Sequence, residues 1–383
     1  MKDLIVWGTG NSGKQFYSSL KWYPESGYHI LGFTNSYDRT AETPEGIPFF
    51  PKNELRFDPS GDTAVVIACD NKTAVHQIKE YLQTERGLSE EKIFFWRTII
   101  QDIRKERIMK RYEHSRDPEI LDTLEWLKTN ELSVYNQFSP LERKLYEVRT
   151  DAENGFPYIE YQSCRVYFPR NWKFQEVDGK PCVVNLFETI QNPEFPHCYE
   201  FGSHRVSKDS IIVDAGVAEG NFVLSHIDTV KKAYLFECDP LWLEALSLSL
   251  RPFRDKVVLI PKKLGACDTE DTVRLDSVVQ EPIDFLKMDI EGAECEALLG
   301  GLELLRRSRA KLSVCTYHRQ NDEKYISFIL QSLGYKTARS KGHMLFLSDP
   351  LIDCTLDFRH GILYGEKKET GDFGPEDVHG ERN

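Results

Sequence analysis

Two short segments place acidic residues where a parallel sheet would bind a ligand. In the first, Ile211–Phe222, an apolar run ends at Asp214 and glycines follow at Gly216 and Gly220. Glycine permits a tight strand-to-helix turn and lets a ligand approach the backbone closely. The next apolar run ends at Glu237, whose carboxylate could accept hydrogen bonds from both hydroxyl groups of a ribose. Together the two segments predict a nucleoside site.

A third segment, Phe285–Glu294, carries the acids that are candidates for catalysis. An apolar run brings Asp289 to its end, and Glu291 and Glu294 follow closely. We expect Glu294 to cap the next helix, because a helix N-terminus favours negative charge. That explanation suits Asp289 less well. His318 ends a later apolar run and is the one histidine that we select for chemistry, although strand-end histidines are more often packing or surface residues.

These residue types favour activation of a hydroxyl group. A positioned base, or a metal ion that lowers the pKa of a hydroxyl, makes an alcohol a better nucleophile. We expect Asp289 or His318 to act as the base, with Glu291 as a supporting acid. A divalent metal held by Asp289, Glu291 and His318 is the alternative.

The pattern of apolar runs predicts an α/β fold with two Rossmann-like domains. Leu4–Trp7, His29–Thr34, Thr63–Ala68 and Ile93–Trp96 alternate with helical patterns, as the strands of a parallel sheet do. The same rhythm returns from Ser210 in IIVDAG, AYLFE, VVLIP, DFLKMD and LSVCTY. Near the end, HMLFL and GILYG have only a loop between them and predict an antiparallel pair.

Composition divides the chain into five segments. We predict a Rossmann-like domain over residues 1–100, a helical connector over 101–150 and a lid region at the site entrance over 151–204. A second α/β domain follows over 205–366. Residues 367–383 are polar and contain glycine, which predicts a disordered tail.

The motifs of the second half resemble the FkbM family of methyltransferases. VDAGVAEGNF, LFECDP, LGACDTED, VRLDSVV, IDFLKMDIEGAE and the later CTYH and LGY carry the resemblance, over about residues 205–365. It implies a seven-stranded class I methyltransferase sheet, S-adenosylmethionine as methyl donor and an oxygen atom as acceptor. The residues expected at the cofactor are Asp214, Gly216, Gly220, Glu237, Ala266 and Asp289.

By position, the resemblance assigns the glycine loop to the methionine part of the cofactor, Glu237 to the ribose and Ala266 to the surroundings of the adenine. Val217 and Glu219 depart from the residues that the family commonly has in this loop. The stretch from Asp268 to Val273 is also shorter than in the family. We expect these differences to change cofactor affinity rather than cofactor identity.

The first half has a glycine turn of its own. Gly8, Gly10 and Gly13 follow a strand and open a helix, as in a dinucleotide-binding turn. The second strand, however, ends at Asn35 instead of the acid that usually holds the ribose of NAD. The pattern resembles small Rossmann-like domains fused to sugar-modifying transferases, which are associated with nucleotide or nucleotide-sugar recognition. A domain that only supports folding or dimerisation fits equally well.

Two other functions therefore stay open. The chain could be an NAD-dependent oxidoreductase built on the first glycine turn. It could also be a non-catalytic module that binds a nucleotide sugar and keeps a methyltransferase-like shell. The acceptor of a methyltransferase would be a small molecule or a glycan. Some aromatic and basic side chains could line its site, although packing explains most of them equally well: Tyr158, Tyr161, Arg165, Tyr167, Arg170 and Trp172.

The composition of the chain limits the kinds of partner that it is expected to bind. The net charge of −12 argues against a nucleic-acid-binding surface, which would be basic. We see no apolar run long enough to cross a bilayer. The nine cysteines form no CxxC pair, and several, such as Cys238 and Cys315, lie in apolar stretches. They are typical of buried thiols in a reducing cytoplasm. A second copy of the chain is a further candidate partner.

Overall fold

The computed structural model describes residues 2–37, 42–57, 61–138 and 143–367. Two compact units divide the chain. One comprises Met1–Ser133 with Pro350–Asp357, and the other comprises Val134–Asp349 with Phe358–Asn383. Most of the predicted disordered tail, residues 368–383, lies outside the described residues.

The first unit is built on a parallel sheet. Its strands and the helices between and after them are β1 (Lys2–Trp7), α1 (Asn11–Leu20), β2 (Tyr28–Thr34), β3 (Ala64–Ile67), α2 (Lys72–Thr84), β4 (Ile93–Phe95), α3 (Trp96–Arg111) and α4 (Pro118–Leu127). Within the described residues the sheet has four strands in the order β2-β1-β3-β4, all parallel. This is the Rossmann-like arrangement expected from the alternating apolar runs.

Close packing explains the first glycine turn. A Cβ atom on Gly13 would lie 1.9 Å from the carbonyl oxygen of Gly8, so α1 can rest against the end of β1 only with glycine there. A Cβ atom on Gly10 would meet nothing within 4 Å. Steric demand therefore accounts for part of the motif without any ligand.

The predicted helical connector differs from the structure. Helices α3 and α4 belong to the first unit, whereas residues 145–150 are extended, as β5 (Leu145–Glu147) and β6 (Arg149–Thr150). In β5, the side chain of Tyr146 is buried and both neighbours are exposed. This period of two is the strand pattern, and the charged residues around it concealed it.

The second unit begins with two small antiparallel sheets. They use β5, β6 and four further strands, β7 (Pro157–Tyr161), β8 (Cys164–Tyr167), β9 (Gln175–Val177) and β10 (Lys180–Val184). The strand orders are β5-β10-β9 and β6-β7-β8. The short helix α5 (Glu188–Gln191) follows.

The main element of the second unit is a mostly parallel sheet. Its strands and connections are β11 (Ile211–Ala215), α6 (Asn221–His226), β12 (Lys232–Phe236), α7 (Pro240–Ser249), β13 (Val257–Ile260), β14 (Lys263–Leu264), β15 (Thr272–Val273), α8 (Leu275–Val278), β16 (Phe285–Met288), α9 (Glu294–Leu299), α10 (Leu302–Arg307), β17 (Lys311–Cys315), α11 (Asp322–Ser332), β18 (Tyr335–Arg339) and β19 (Ile362–Lys367). In the described part of the chain seven strands form this sheet, in the order β13-β12-β11-β16-β17-β19-β18. The α/β class and the seven-stranded sheet are confirmed.

The strand order locates the crevice of this sheet. From β11 the chain builds outward through β12 to β13 and then returns to place β16 on the other side of β11. In open parallel sheets, ligands bind at the carboxyl ends of the strands where the order reverses. Here that place lies between the ends of β11 and β16.

The last part of the sheet differs from the prediction. Residues 343–347, HMLFL, are not a strand, and Met344 makes only an isolated bridge with Arg359. The antiparallel partners are β19 and β18, and β19 also pairs antiparallel with β17. Because β18 is an edge strand with mostly exposed side chains, its sequence carries a weak apolar signal.

Alternate residues of the central strands pack on opposite faces. Ile212 and Phe285 belong to one apolar cluster, and Val213 and Leu286 belong to the other. Both faces of the sheet are therefore covered, which explains the continuous apolar runs in the sequence. Helix α12 (Ile352–Thr355) lies in the returning segment of the first unit. None of the described helices has the length and apolar character needed to span a bilayer.

Candidate active site

The glycine loop after β11 packs against the end of β16. Gly216 has a φ of +77°, and a Cβ atom there would lie 1.7 Å from the carbonyl oxygen of Asp289. The amide of Asp289 donates to the carbonyl of Ala215 at 3.0 Å. Gly220 also has a positive φ, of +84°. The loop therefore brings two of the predicted site segments together.

Glu237 lies at the same sheet edge, directly after β12. Its Oε2 accepts a hydrogen bond from the amide of Ala218 in the glycine loop at 2.9 Å. Its Oε1 accepts from the amides of Cys238 and Asp239, at 2.7 and 2.9 Å. The carboxylate is thus fixed beside the loop. Cys238 is exposed, contrary to our expectation, because it lies beyond the strand end.

Asp214 lies beneath the glycine loop and is fully buried. Its carboxylate is 3.1 Å from the ammonium group of Lys287 on β16. Lys287 also donates to the carbonyl oxygen of Gly216 at 2.5 Å. Burial raises the pKa of Asp214, although the charge of Lys287 opposes this effect. The pair therefore supports the loop from below and does not line the crevice.

Ala266 follows β14 and is exposed, whereas its neighbour Gly265 is buried. Glu219, the loop residue that departs from the family pattern, has a pKa raised by burial. The nearby carboxylates of Asp214 and Asp289 raise its pKa further, and Lys287 opposes them. The loop therefore adds one more carboxyl group to an already acidic crevice.

Asp289 is the centre of a polar cluster and keeps 18% of its side chain exposed. On one side, Oδ2 accepts from the hydroxyl of Tyr199 at 2.7 Å and lies 3.4 Å from Nε2 of His197. On the other side, Oδ1 accepts from the hydroxyl of Tyr317 at 3.1 Å and lies 3.4 Å from Nε2 of His318. Two tyrosines and two histidines therefore hold one carboxylate.

The charge state of Asp289 follows from these partners. Burial opposes its negative charge, but His197, Lys287 and His318 outweigh burial, and the pKa of Asp289 lies well below its usual range. The group is therefore an anion at neutral pH. It is a weak base and a strong hydrogen-bond acceptor.

His318 is buried behind Asp289, with 2% of its side chain exposed. Its Nδ1 lies 3.1 Å from Oε1 of Glu294, and that oxygen also accepts from the amide of Ile290 at 2.9 Å. Burial lowers the pKa of His318, but the carboxylates of Glu294, Asp289 and Glu291 raise it more strongly. The pKa of His318 therefore lies above its usual value. Both ring nitrogens face carboxylates, so His318 reaches the crevice only through Asp289.

The two other acids of the motif have different surroundings. Glu294 is fully buried and faces His318, and the amide from which it accepts belongs to Ile290, before α9. The expected cap of α9 is therefore not formed. Glu291 has a φ of +56° and a side chain that is 82% exposed, with Oε2 at 3.6 Å from Nε2 of His318. Glu291 therefore lies at the rim of the cluster.

Arg359 holds the end of β17 in place. It is buried, and its Nη1 donates to the backbone carbonyls of Tyr317 and His318 at 2.8 and 3.0 Å. Its Nη2 donates to Asp349 at 2.6 Å. The main chain that carries both residues is thus fixed from a distant part of the sequence.

Sequence reasoning missed His197, Tyr199 and Lys287. His197 and Tyr199 lie in PHCYEF, a segment without regular secondary structure, so no strand pattern pointed to the sheet edge. For Lys287 a signal existed, because a lysine within an apolar strand needs a buried partner. Conversely, Tyr158, Tyr161 and Tyr167 from the predicted acceptor wall are buried core residues. Trp172 is 45% exposed and packs on Trp242, with ring centroids 4.9 Å apart.

A polar cavity of about 560 Å³ lies in the second unit. Arg143, Lys144 and several residues of the segment from Asn185 to Phe195 line it. This segment contacts α6, because Asn221 Nδ2 donates to the carbonyl of Leu186 at 3.2 Å. The cavity wall is therefore attached to the helix that follows the glycine loop.

Comparison with protein families identifies part of this unit. Residues 219–342 match the model of the Methyltransferase FkbM domain. Residues 219–342 therefore resemble an FkbM methyltransferase domain. The matched span includes Glu237, Ala266, Asp289, Glu291 and His318, so the resemblance seen in the motifs is confirmed there. Asp214 and Gly216 precede the matched residues.

Solved structures resemble the chain at low sequence identity. A methyltransferase FkbM from Methylobacillus flagellatus KT is 16% identical, with a TM-score of 0.45, and covers 95% of this chain and 90% of its own. Aeropyrum pernix fibrillarin, solved with natively bound S-adenosyl-L-methionine, is 15% identical, with a TM-score of 0.32. The match covers 58% of this chain and 99% of fibrillarin. Precorrin-6y C5,15-methyltransferase from Geobacter metallireducens GS-15 is 14% identical, with a TM-score of 0.31. The match covers 43% of this chain and 84% of that enzyme. No curated protein matches the chain.

Proposed function

We propose that the chain is an S-adenosylmethionine-dependent methyltransferase that methylates a hydroxyl oxygen of a sugar or glycan. The observation that carries the proposal is the meeting of the glycine loop, Glu237 and Asp289 at one sheet edge. The loop backbone contacts both carboxylate-bearing segments, through Ala218 and Gly216. The FkbM match supports the methyltransferase class.

The chemistry of the crevice fits this cofactor. S-adenosylmethionine has a cationic sulfonium, an ammonium group and a ribose with two hydroxyl groups. The crevice offers the carboxylates of Glu237 and Asp289, and the carbonyls and amides of the glycine loop. Glu237 would hold the ribose, the loop from Gly216 to Gly220 the amino-acid part, and the chain around Ala266 the adenine. Asp214 would act from below, through Lys287 and the loop.

When bound, the cofactor would supply an electrophilic methyl group for in-line displacement. The task of the chain is then to align the acceptor oxygen and to receive its proton. Asp289 is the exposed member of its cluster and would accept a hydrogen bond from the acceptor hydroxyl. An oxygen that has gained a methyl group is far more acidic than a carboxylic acid, so a weak base suffices. His318 and Glu294 would orient Asp289 and stabilise its charge.

The polar cavity supports a hydroxyl-rich acceptor. Its lining includes the amides of Asn185, Gln191 and Asn192. Arg143, Lys144 and Glu188 also line it, and Glu188 pairs with Lys144 at 3.0 Å. Such groups hydrogen-bond to sugar hydroxyls. The cavity wall contacts α6, so an acceptor bound there would lie near the glycine loop.

Calorimetry with S-adenosylhomocysteine tests the cofactor. We expect binding to the wild-type chain and at least a tenfold loss, about 1.4 kcal/mol, in Glu237→Gln. Glu244→Gln, an exposed acid on α7, is the matched control and should bind as the wild type does. Absence of heat with the wild type, together with binding of NADH, would favour the oxidoreductase alternative.

Methyl transfer to a panel of nucleotide sugars and polysaccharides tests the acceptor. Asp289→Asn and His318→Ala should lose turnover and keep most of their affinity for S-adenosylhomocysteine, which lacks the sulfonium charge that a carboxylate would stabilise. If both variants methylate at the wild-type rate, the catalytic assignment is wrong. If turnover occurs only with non-sugar alcohols, the acceptor class is wrong and the cofactor assignment stands.

A further inference from the structure

Two groups of metal-binding side chains meet at Asp289. The first group consists of Asp289, Glu294 and His318. The second consists of Asp289, His197 and Cys315. They lie on opposite oxygens of the same carboxylate, His318 on Oδ1 and His197 on Oδ2. The second group contains a nitrogen, an oxygen and a sulfur atom from three separate segments of the chain.

The two separations that involve His197 match those of a tetrahedral site. His197 Nε2 lies 3.4 Å from Asp289 Oδ2 and 3.6 Å from Cys315 Sγ, and the three ligand atoms lie within 4.8 Å of one another. Zinc binds nitrogen and oxygen at about 2.0–2.2 Å and sulfur at about 2.3 Å with tetrahedral angles. These bond lengths place N and O about 3.3 Å apart, and N and S about 3.5 Å apart. The observed separations agree with both values.

The first group fits a metal less well. Glu294 faces Nδ1 of His318, whereas Asp289 faces Nε2 of the same ring. One ion cannot take both nitrogens of an imidazole, and Glu294 Oε1 already accepts the amide of Ile290. In the second group both neighbours of His197 lie at the same nitrogen, Nε2.

We propose that His197, Asp289 and Cys315 bind a zinc ion, with the fourth position open to an oxygen ligand. A site with three protein ligands and one open position is the arrangement typical of catalytic zinc, and thiolate with imidazole favours zinc over magnesium. Metal binding replaces the proton of the Cys315 thiol, which leaves to solvent.

The surroundings complete the site. The hydroxyl of Tyr199 donates to the same Asp289 oxygen that would bind zinc, and Tyr317 and His318 hold the other oxygen. Hydrogen bonds of this kind orient metal-binding carboxylates. Cys315 is fully buried. Zinc would bind its sulfur as a thiolate.

If the proposed function holds, the acceptor hydroxyl would occupy the fourth position, and zinc instead of Asp289 would act on it by lowering its pKa. The metal site itself does not depend on the proposed function. It is distinct from the site on Asp289, Glu291 and His318 that the sequence suggested.

Elemental analysis of the full chain after exposure to zinc and gel filtration tests the site. We expect about one zinc ion per chain in the wild type and at least a tenfold loss of affinity in Cys315→Ser and His197→Ala. Cys164→Ser, which removes another buried thiol of the second unit, should keep the zinc. Cobalt substitution should give a thiolate-to-cobalt charge-transfer band that is lost in Cys315→Ser alone.

Two results would overturn the proposal. One is a wild-type chain that retains no zinc above the level of a protein without a site. The other is full retention by Cys315→Ser with an unchanged cobalt spectrum. Circular dichroism verifies that each variant is folded. Calorimetry with S-adenosylhomocysteine on the metal-free chain separates the two proposals, because cofactor binding without zinc would leave the proposed function intact.

Discussion

Lys287 and Asp214 form a buried ion pair under the glycine loop, 3.1 Å apart. Replacing Lys287 with Met leaves the carboxylate of Asp214 buried without its cation, which should cost about 3–5 kcal/mol of unfolding free energy. Combining Lys287→Met with Asp214→Leu should restore much of that loss, because no buried charge remains. Urea unfolding measures both. Equal stability of the single and double variants would contradict the pairing.

Asp322 is a buried acid at the start of α11, and burial, with a contribution from Glu294, raises its pKa to about 6. A carboxyl group normally titrates near 3.9 in an unfolded chain, so the folded protein holds this proton more tightly. Its stabilising contribution is complete below about pH 4 and is lost as pH rises through about 6.

Asp322→Asn removes that titration and keeps an amide oxygen to accept from the backbone amide of Arg319. We expect the variant to gain stability relative to the wild type on going from pH 5 to pH 8, by roughly 1–1.5 kcal/mol. Urea unfolding at the two pH values measures the gain. The exposed Asp255→Asn is the control and should show no such trend. A constant difference for Asp322→Asn would refute the shifted titration.

Only some residues of the candidate site could be predicted from the sequence. Asp289 and Glu237 were predictable because each ends an apolar strand, and strand ends meet at one sheet edge. His197 was not, since its segment has no periodic pattern and reaches Asp289 only through tertiary folding. His318 lies beside Asp289 in the structure. Its burial depends on Glu294 and Arg359, and no local sequence pattern predicts those contacts.

At the scale of elements, the glycine loop depends on direct backbone contact. Gly216→Ala should displace the loop, since the new Cβ would collide with the backbone carbonyl of Asp289. We expect loss of most S-adenosylhomocysteine binding and a clear fall in thermal midpoint. Gly334→Ala is the matched control, because Gly334 has a similar φ of +84° with nothing within 4 Å of its Cβ. Conformational strain alone costs about 1 kcal/mol there.

If Gly216→Ala and Gly334→Ala behave alike, strain explains both, and the close approach of loop and strand is unimportant. Calorimetry and thermal unfolding on the same samples distinguish these outcomes.

The central strands could be predicted because both of their faces are buried, which makes their sequences continuously apolar. Edge strands lack that signal. This explains why the sequence predicts a strand in HMLFL and none at β18. The strands of residues 145–150 were missed for a related reason, since charged residues surround the single buried side chain of Tyr146.

At the scale of the whole molecule, the first unit recruits a distant segment. Asp353 lies 2.6 Å from Arg104 and accepts from the hydroxyl of Tyr23 at 2.5 Å, inside one unit. Asp353→Ala should destabilise this unit by about 2–4 kcal/mol, because the guanidinium of Arg104 stays largely buried without its partner. Differential scanning calorimetry of thermal unfolding measures this loss of stability.

Asp70→Ala in the same unit is the control. Asp70 pairs with Arg97 at 2.9 Å, but both side chains are about half exposed. An exposed ion pair contributes about 0–1 kcal/mol, so this variant should change stability little. Equal losses from the two variants would show that the returning segment has no special role.

The position of β19 has a consequence for biosynthesis. This strand is made after both of its neighbours, and within the described ranges it joins β18 to β17. While the ribosome is still translating the preceding segment, β17 presents an open apolar edge and β18 lacks its partner strand β19. A chain released by a nonsense codon before Ile362 would carry that open edge permanently, and such edges pair with other chains. We therefore expect truncated products to be handled by chaperones or to precipitate.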